Sequence, residues 1–325
     1  LGLTSASQIN ISCFGGSNGA ATVNAAAGGT PGYTYNWTPG NPTGDGTLSV
    51  SGLIAANWTC TVTDANSCTA IQTFNVTQPT ALVVSTLSQT NVSCNAGTNG
   101  AASVSVSGGT TAYTYNWTPG NPTGDGTASV TGLAAGSWTC TVTDANGCVG
   151  SQIFTITQPS ALVVSSLSQT NVSCNAGTNG AASVSVSGGT TAYTYNWTPG
   201  NPTGDGTASA TGLTAGSWTC TVTDANSCVG SQIFTITQPS ALVVSSLSQT
   251  NVSCNAGTNG AASVSVSGGT TAYTYNWTPG NPTGDGTASV TGLTAGSWTC
   301  TVTDANGCVG FTNFYYYTTK CISSF

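Results

Sequence analysis

The sequence predicts an all-β protein, a tandem array of four near-identical β-sandwich modules of about 80 residues each. The first reason is self-similarity. Residues 94–173 and 174–253 differ at three positions only, Val130 against Ala210, Ala134 against Thr214 and Gly147 against Ser227. The second is period: short runs alternating apolar with polar residues are separated by Gly, Asn, Asp and Pro, and no helical period is present. That pattern is how the strands and turns of a sandwich are written. The expected modules are residues 1–79, 80–159, 160–239 and 240–325, the last departing after Gly310 into an aromatic, cysteine-bearing tail. Terminal copies of an array are commonly atypical because their outer faces lack a neighbour.

Within the second module the alternation predicts strands at 82–93, 101–107, 113–118, 127–133, 137–143 and 149–157, with a short seventh edge strand near Pro122. In YTYNWT, successive side chains point to opposite faces, so Tyr113, Tyr115 and Trp117 share the core face while Thr114, Asn116 and Thr118 face out. WTCTVT repeats the arrangement, with Trp138, Cys140 and Val142 inward and Thr139, Thr141 and Thr143 on the exposed pleat that threonine suits. TDANG is a turn in which Asp144 accepts backbone hydrogen bonds and Gly147 supplies a positive φ. Between modules stands only ITQPSALVV: Pro159 closes one last strand and the next first strand follows almost at once, a connection that limits bending.

Composition narrows the function. The chain has eight acidic residues, all Asp, a single basic residue, Lys320, and no His, for a formal charge of -7. Nucleic acid is therefore an unsuitable partner, because phosphate binding draws on Lys and Arg. No apolar run reaches membrane-spanning length. Without His or Glu there is no Ser-His or Cys-His nucleophile and no Glu acid or base, so an enzyme is not expected, and neither is a cofactor. The Asp125 and Asp144 pair invites a calcium reading, but turn formation accounts for both residues and no metal is expected.

Thirteen cysteines without a histidine or a CxxC pair point to disulfides and an oxidising, extracellular compartment. The chain starts at Leu1 without a charged and then apolar leader, so an export signal is expected to have been removed or to lie outside these residues. With charged residues at 3%, solubility falls to Ser, Thr and Asn or to groups attached to them; residues 94–173 alone hold 25 Ser or Thr.

The stretch TNVSCNAGTNGAASVSVSGGTTAYTYNW, followed by GLAAGSWTCTVTDANGC and ITQP, resembles the SprB-type repeats of Bacteroidota cell-surface adhesins, gliding-motility adhesins among them. The resemblance covers all four copies. It implies a long secreted surface protein of Ig-like modules that acts in adhesion and has no enzymatic activity in the repeat. Two features depart from the pattern: Cys60, Cys140, Cys220 and Cys300 stand where an aliphatic residue is usual, and YYYTTKCISSF matches no sorting domain.

The same resemblance implies that the VSC and NGC cysteines pair within a module, Cys94 with Cys148. An Ig-like topology alternatively brings Cys94 near Cys140. The disulfide candidates are thus Cys13, Cys60, Cys68, Cys94, Cys140, Cys148, Cys174, Cys220, Cys228, Cys254, Cys300, Cys308 and Cys321. Either pairing leaves one cysteine per module over, as a buried thiol or as a bond between modules or protomers.

Ten glycosylation sequons occur, at Asn10, Asn36, Asn57, Asn75, Asn91, Asn116, Asn171, Asn196, Asn251 and Asn276, although Ser and Thr are alternative carriers. In the tail, Phe314 and Tyr316 align with core positions while Tyr315 and Tyr317 point outward as candidates for a subunit contact. The function expected is structural and adhesive: a rigid extracellular stalk or filament, self-associated or part of a longer array, with a surface or polysaccharide as ligand. The alternative is a multivalent carbohydrate-binding array that uses its copies for avidity.

Overall fold

The computed structural model describes residues 1–318, which carry no helix. Lys320 and Cys321 lie outside the described residues. The chain divides into two compact units, Leu1–Pro159 and Ser160–Phe325.

The first unit opens with β1 (Ser5–Ile9), β2 (Gly19–Val23), β3 (Thr34–Thr38), β4 (Ser49–Leu53), β5 (Ala56–Thr63) and β6 (Thr69–Val76). It continues with β7 (Val83–Thr90), β8 (Gly100–Ser107), β9 (Thr114–Thr118), β10 (Ser129–Leu133), β11 (Gly136–Thr143) and β12 (Val149–Ile156). Each set of six forms two antiparallel three-stranded sheets, β1-β2-β4 with β3-β5-β6 and β7-β8-β10 with β9-β11-β12. The second unit repeats this order twice, from β13 (Val163–Thr170) to β18 (Val229–Ile236) and from β19 (Val243–Thr250) to β24 (Val309–Tyr316). Four Ig-like sandwiches result. The seventh strand expected near Pro122 is a single bridge, Thr123 to Thr131, because Pro122 and the glycines beside it leave no run long enough to form a ladder.

Each sandwich has its own core, as the alternation requires. In the second, Trp117, Leu133, Cys140 and Val142 are fully buried among Val92, Ala102, Val104, Val130, Phe154 and Ile156. Trp117 and Phe154 pack with ring centroids 5.4 Å apart, inside the range where aromatic pairs gain beyond simple burial. The indole Nε1 donates to the Thr127 carbonyl at 2.9 Å and the Trp117 backbone N donates to Asp125 Oδ1 at 2.8 Å. Burial therefore leaves neither polar group unpaired. Tyr113 and Tyr115 are half-buried against this core.

The strand predicted over 82–93 ends at Thr90 and carries a bulge between Thr86 and Ser88 that turns Leu87 out to solvent. Beyond the bulge, Gln89 Nε2 donates to the Thr155 carbonyl at 2.8 Å, and Asn91 Oδ1 accepts from the Thr157 backbone N at 3.0 Å. Edge strand β7 is thus clasped to edge strand β12 of the other sheet by side chains, without a ladder. The clasp satisfies edge groups that would otherwise template foreign strands.

Candidate functional site

The features that distinguish this array lie at the two ends of each sandwich. One end is formed by the loop after the first strand. In the second module Asn99 Oδ1 accepts from the Ser93 backbone N at 3.0 Å, its Nδ2 donates to Ser93 Oγ at 2.6 Å, and Gln158 Oε1 accepts from the Ala96 N at 2.8 Å. These contacts hold the Ser-Cys loop (Ser93 and Cys94) as a rigid knuckle. The loop asparagine recurs in every copy, as Asn18, Asn99, Asn179 and Asn259, and the glutamine in the first three, as Gln78, Gln158 and Gln238, so neither carried a distinguishing signal in the sequence.

The opposite end is the TDANG turn. Asp144 Oδ1 accepts from the backbone N of Asn146 and of Cys148, both at 2.9 Å, and Oδ2 accepts from the Thr110 N at 2.8 Å. Burial opposes ionisation of Asp144, but the amides of Thr110, Cys148, Asn146 and Gly147 outweigh it and hold the carboxyl below its ordinary value. Gly147 takes φ 82° to close the turn. The SGGT motif has a spatial cause here too: a Cβ on Gly108 would run into the Ala81 carbonyl, and one on Gly109 would meet Asp144 Oδ2 at 2.8 Å.

Asp144 accepts backbone amides through both carboxylate oxygens, and Asp125 accepts one through Oδ1. No cluster of three metal-ligating side chains occurs among the described residues.

The chain leaves the first sandwich at its Ser-Cys end, where the Ile11 N donates to the Thr77 carbonyl at 2.9 Å. It enters the second at the turn end, where the Gly109 N donates to the Thr80 carbonyl at 2.9 Å. The modules of a unit therefore meet head to tail, and Cys13 is bonded to Cys148, with Cα atoms 5.6 Å apart. In the second unit Cys174 is bonded to Cys308 in the same way, with Cα atoms 5.7 Å apart. A polar contact accompanies each staple: Asn146 Nδ2 donates to the Ser12 carbonyl and Asn306 Nδ2 to the Ser173 carbonyl, both at 3.0 Å. Cys94, Cys228 and Cys254 are disulfide-bonded as well.

The expected pairing of Cys94 with Cys148 is therefore corrected. Those residues stand at opposite ends of one sandwich, separated by the length of β8, about 25 Å for eight residues, and the bond forms between successive modules instead. Pairing of Cys94 with Cys140 fails for a related reason. Cys140 lies in the middle of β11, opposite Trp117 and Gln152, with its thiol in the core.

Among the described residues, five of the disulfide candidates are free thiols: Cys60, Cys140, Cys220 and Cys300, all buried, and Cys68, which is exposed. Burial first, and the negative charge of Asp125 second, push the Cys140 thiol up to about 11. Cys60, Cys220 and Cys300 are raised equally, to about 11, by burial first and then by Asp45, Asp205 and Asp285 respectively. They pack as small apolar side chains.

All ten sequon asparagines are exposed. They differ in surroundings, since Asn10, Asn91 and Asn171 accept a backbone hydrogen bond through Oδ1 from Thr77, Thr157 and Thr237. Asn36, Asn116, Asn196 and Asn276 stand on the outer face of short edge strands. In and just after β24, Phe314 and Tyr316 are in the core, whereas Tyr315 is 56% and Tyr317 is 75% exposed.

The sequence pattern described as the SprB repeat matches residues 5–42, 86–122, 166–202 and 246–282. Each match spans the Ser-Cys loop and the YTYNW strand of one sandwich and stops before the TDANG turn. No protein of curated function matches the chain. Among solved structures it is similar to the eight N-terminal Ig domains of Down Syndrome Cell Adhesion Molecule, at 10% identity and a TM-score of 0.36, covering 98% of this chain and 49% of that one. The chain thus spans about half the length of that neighbour. It is also similar to three N-terminal domains of the bacteriophage RB49 Highly Immunogenic Outer Capsid protein, at 17% identity, TM-score 0.34, covering 74% of this chain and 100% of that one. A third is invasin, a bacterial integrin-binding protein, at 13% identity, TM-score 0.34, covering 97% of this chain and 79% of that one. One match of the repeat pattern falls in each of the four sandwiches, so each carries a segment similar to the SprB repeat.

Proposed function

We propose that the chain is an extracellular adhesion-type stalk, in which SprB modules bounded near residues 79, 159 and 239 act as spacers locked to one another by disulfides. The observation that carries this reading is the staple between successive modules, Cys13 to Cys148 and Cys174 to Cys308. A disulfide within a module would stabilise that module alone. One placed across a junction, beside the covalent connection at Ala81 and Leu82, adds a second attachment point and removes a hinge. The energy is thus spent on relative orientation, which a spacer needs and a free binding domain does not. Structural disulfides also support a location outside the reducing cytosol.

Glycans on the outward asparagines, and self-association through Tyr315 and Tyr317, fit the same role. Multivalent carbohydrate binding draws less support, because Trp37, Trp117, Trp197 and Trp277 are fully buried and offer no stacking face.

The test is small-angle scattering from the purified chain with and without dithiothreitol. A stapled stalk gives a single extended shape that becomes a broad distribution of bends on reduction. Identical curves in both conditions would remove the stalk reading. Binding of a polysaccharide by the oxidised chain, competed by free sugar, would favour the binding array.

A further inference from the structure

The first module carries the same turn as the second and fourth, built but unoccupied by a Ser-Cys loop. Asp64 Oδ1 accepts from the backbone N of Asn66 at 2.9 Å and of Cys68 at 2.8 Å, Oδ2 accepts from the Thr30 N at 3.0 Å, and Asn66 Nδ2 donates to Thr30 Oγ1 at 2.7 Å. The second module shows the same four bonds at Asp144, Asn146 and Thr110. There the turn also holds a neighbour, since Asn146 donates to the Ser12 carbonyl and Cys148 is bonded to Cys13. The fourth does likewise with Ser173 and Cys174. In the first module, by contrast, Cys68 is a free, exposed thiol and Asn66 is exposed beside it.

We propose that Asn66 and Cys68 form a socket for the Ser-Cys loop of a further SprB module, beyond these four. The ligand chemistry is read from the two occupied sockets: a backbone carbonyl to accept from the Asn66 amide, followed by a cysteine thiol to bond with Cys68. The occupant is a further module because Cys13 and Cys174 are committed to Cys148 and Cys308, and Cys94 and Cys254 are disulfide-bonded too. The incoming module therefore arrives with its own Ser-Cys thiol reduced. Bond formation joins the two sulfurs and releases two protons and two electrons. A low-molecular-weight disulfide such as oxidised glutathione takes these up and becomes two thiols. The inference rests on the stapled-stalk reading and extends it from the junctions among these modules to a junction with a further one.

The test blocks free thiols with iodoacetamide on intact native material, digests without reduction and sequences whatever is joined to the Cys68 peptide. The expected partner is a Ser-Cys-loop peptide from outside residues 1–325, in a linkage that dithiothreitol breaks and that a Cys68→Ser chain fails to form. An Asn66→Ala chain forms it several-fold more slowly. Recovery of Cys68 in alkylated form, or bonded to a cysteine outside a Ser-Cys loop, overturns the proposal. The same digest separates the two failures. Intact Cys13–Cys148 and Cys174–Cys308 peptides leave the stalk standing without its socket, and their absence removes both.

Discussion

Asn146 of the second module donates its side-chain amide to the backbone carbonyl of Ser12 in the first, at 3.0 Å, next to the bond between Cys13 and Cys148. The hydrogen bond fixes the orientation of the two modules and the disulfide makes it permanent. The order matters, because a turn already shaped by Asp144 presents both groups at once and the loop needs no rearrangement to meet them.

Removing the staple should therefore cost more than removing the contact. Sequence separation between the bonded cysteines is 135 residues. A cross-link closing a loop of that order restricts the unfolded chain by about 4 to 5 kcal/mol in the chain-entropy account. The Cys13→Ser, Cys148→Ser double variant is expected to lose most of that in denaturant unfolding of the first unit, and Asn146→Ala about 1 kcal/mol. A double variant that unfolds at the wild-type midpoint would show that the modules unfold without feeling the junction.

Alkylation separates the thiols by location. In the folded chain produced by itself, with no further module to fill the Cys68 socket, iodoacetamide at neutral pH is expected to modify Cys68 and to spare Cys60, Cys140, Cys220 and Cys300, which are buried and whose thiols are held near 11. In urea without reductant all five should react. Peptide mapping of the adducts checks this, and rapid native labelling of Cys140 would mean that the core opens far more readily than its packing implies. Cys140→Val, a swap of similar volume, is expected to cost less than about 1.5 kcal/mol, since the sulfur has no bonding role.

The four turn aspartates set an acid limit. The amides of Thr270, Cys308 and Asn306 hold the Asp304 carboxyl below its ordinary 3.8, with burial opposing, and Asp64, Asp144 and Asp224 are lowered as well. A carboxyl lowered by folding contributes stability that is fully present above its unfolded value and is lost as pH falls through the folded one. Stability should therefore be flat from neutrality down to about pH 5 and decline below about pH 4. Asp304→Asn should lower stability at neutral pH and flatten the acid decline, read by urea unfolding across that range.

How much of this was legible in the sequence follows from the length scale of each feature. Strand identity was, because alternation is local: Trp117, Cys140, Val142, Phe154 and Ile156 fall on the core face that their spacing dictates. The Asp144 turn was legible for the same reason. The disulfide map was not, because 80-residue identity makes Cys13 and Cys94 look equivalent to any local rule. Only the placement of the two loops at opposite ends of the sandwich decides that the bond crosses a junction. The Gln89 and Asn91 clasp between sheets was also missed, since it joins residues more than 60 positions apart and repeats without variation.

The near-identity of the modules offers one internal comparison of backbone strain. At the third position after the turn aspartate, Gly147 and Gly307 take φ 82° and 81°, while Ser67 and Ser227 are held at 63° and 66°. A side chain in this left-handed region costs about 1 to 2 kcal/mol, because its Cβ crowds the following carbonyl oxygen. Glycine avoids that cost but gives up about 0.4 to 1 kcal/mol through the greater freedom of its unfolded state. The net expectation is that Ser227→Gly stabilises the third module by about 0.5 to 1 kcal/mol and Gly147→Ser destabilises the second by a similar amount. Both variants leave Asp224 and Asp144 with the backbone N of Cys228 and Cys148 as donors, so the comparison isolates the backbone. Calorimetry of the two single variants and the exchange pair checks it. Opposite shifts that nearly cancel in the pair support the argument, whereas a loss on Ser227→Gly would mean that the serine side chain earns its place through a contact stronger than the strain.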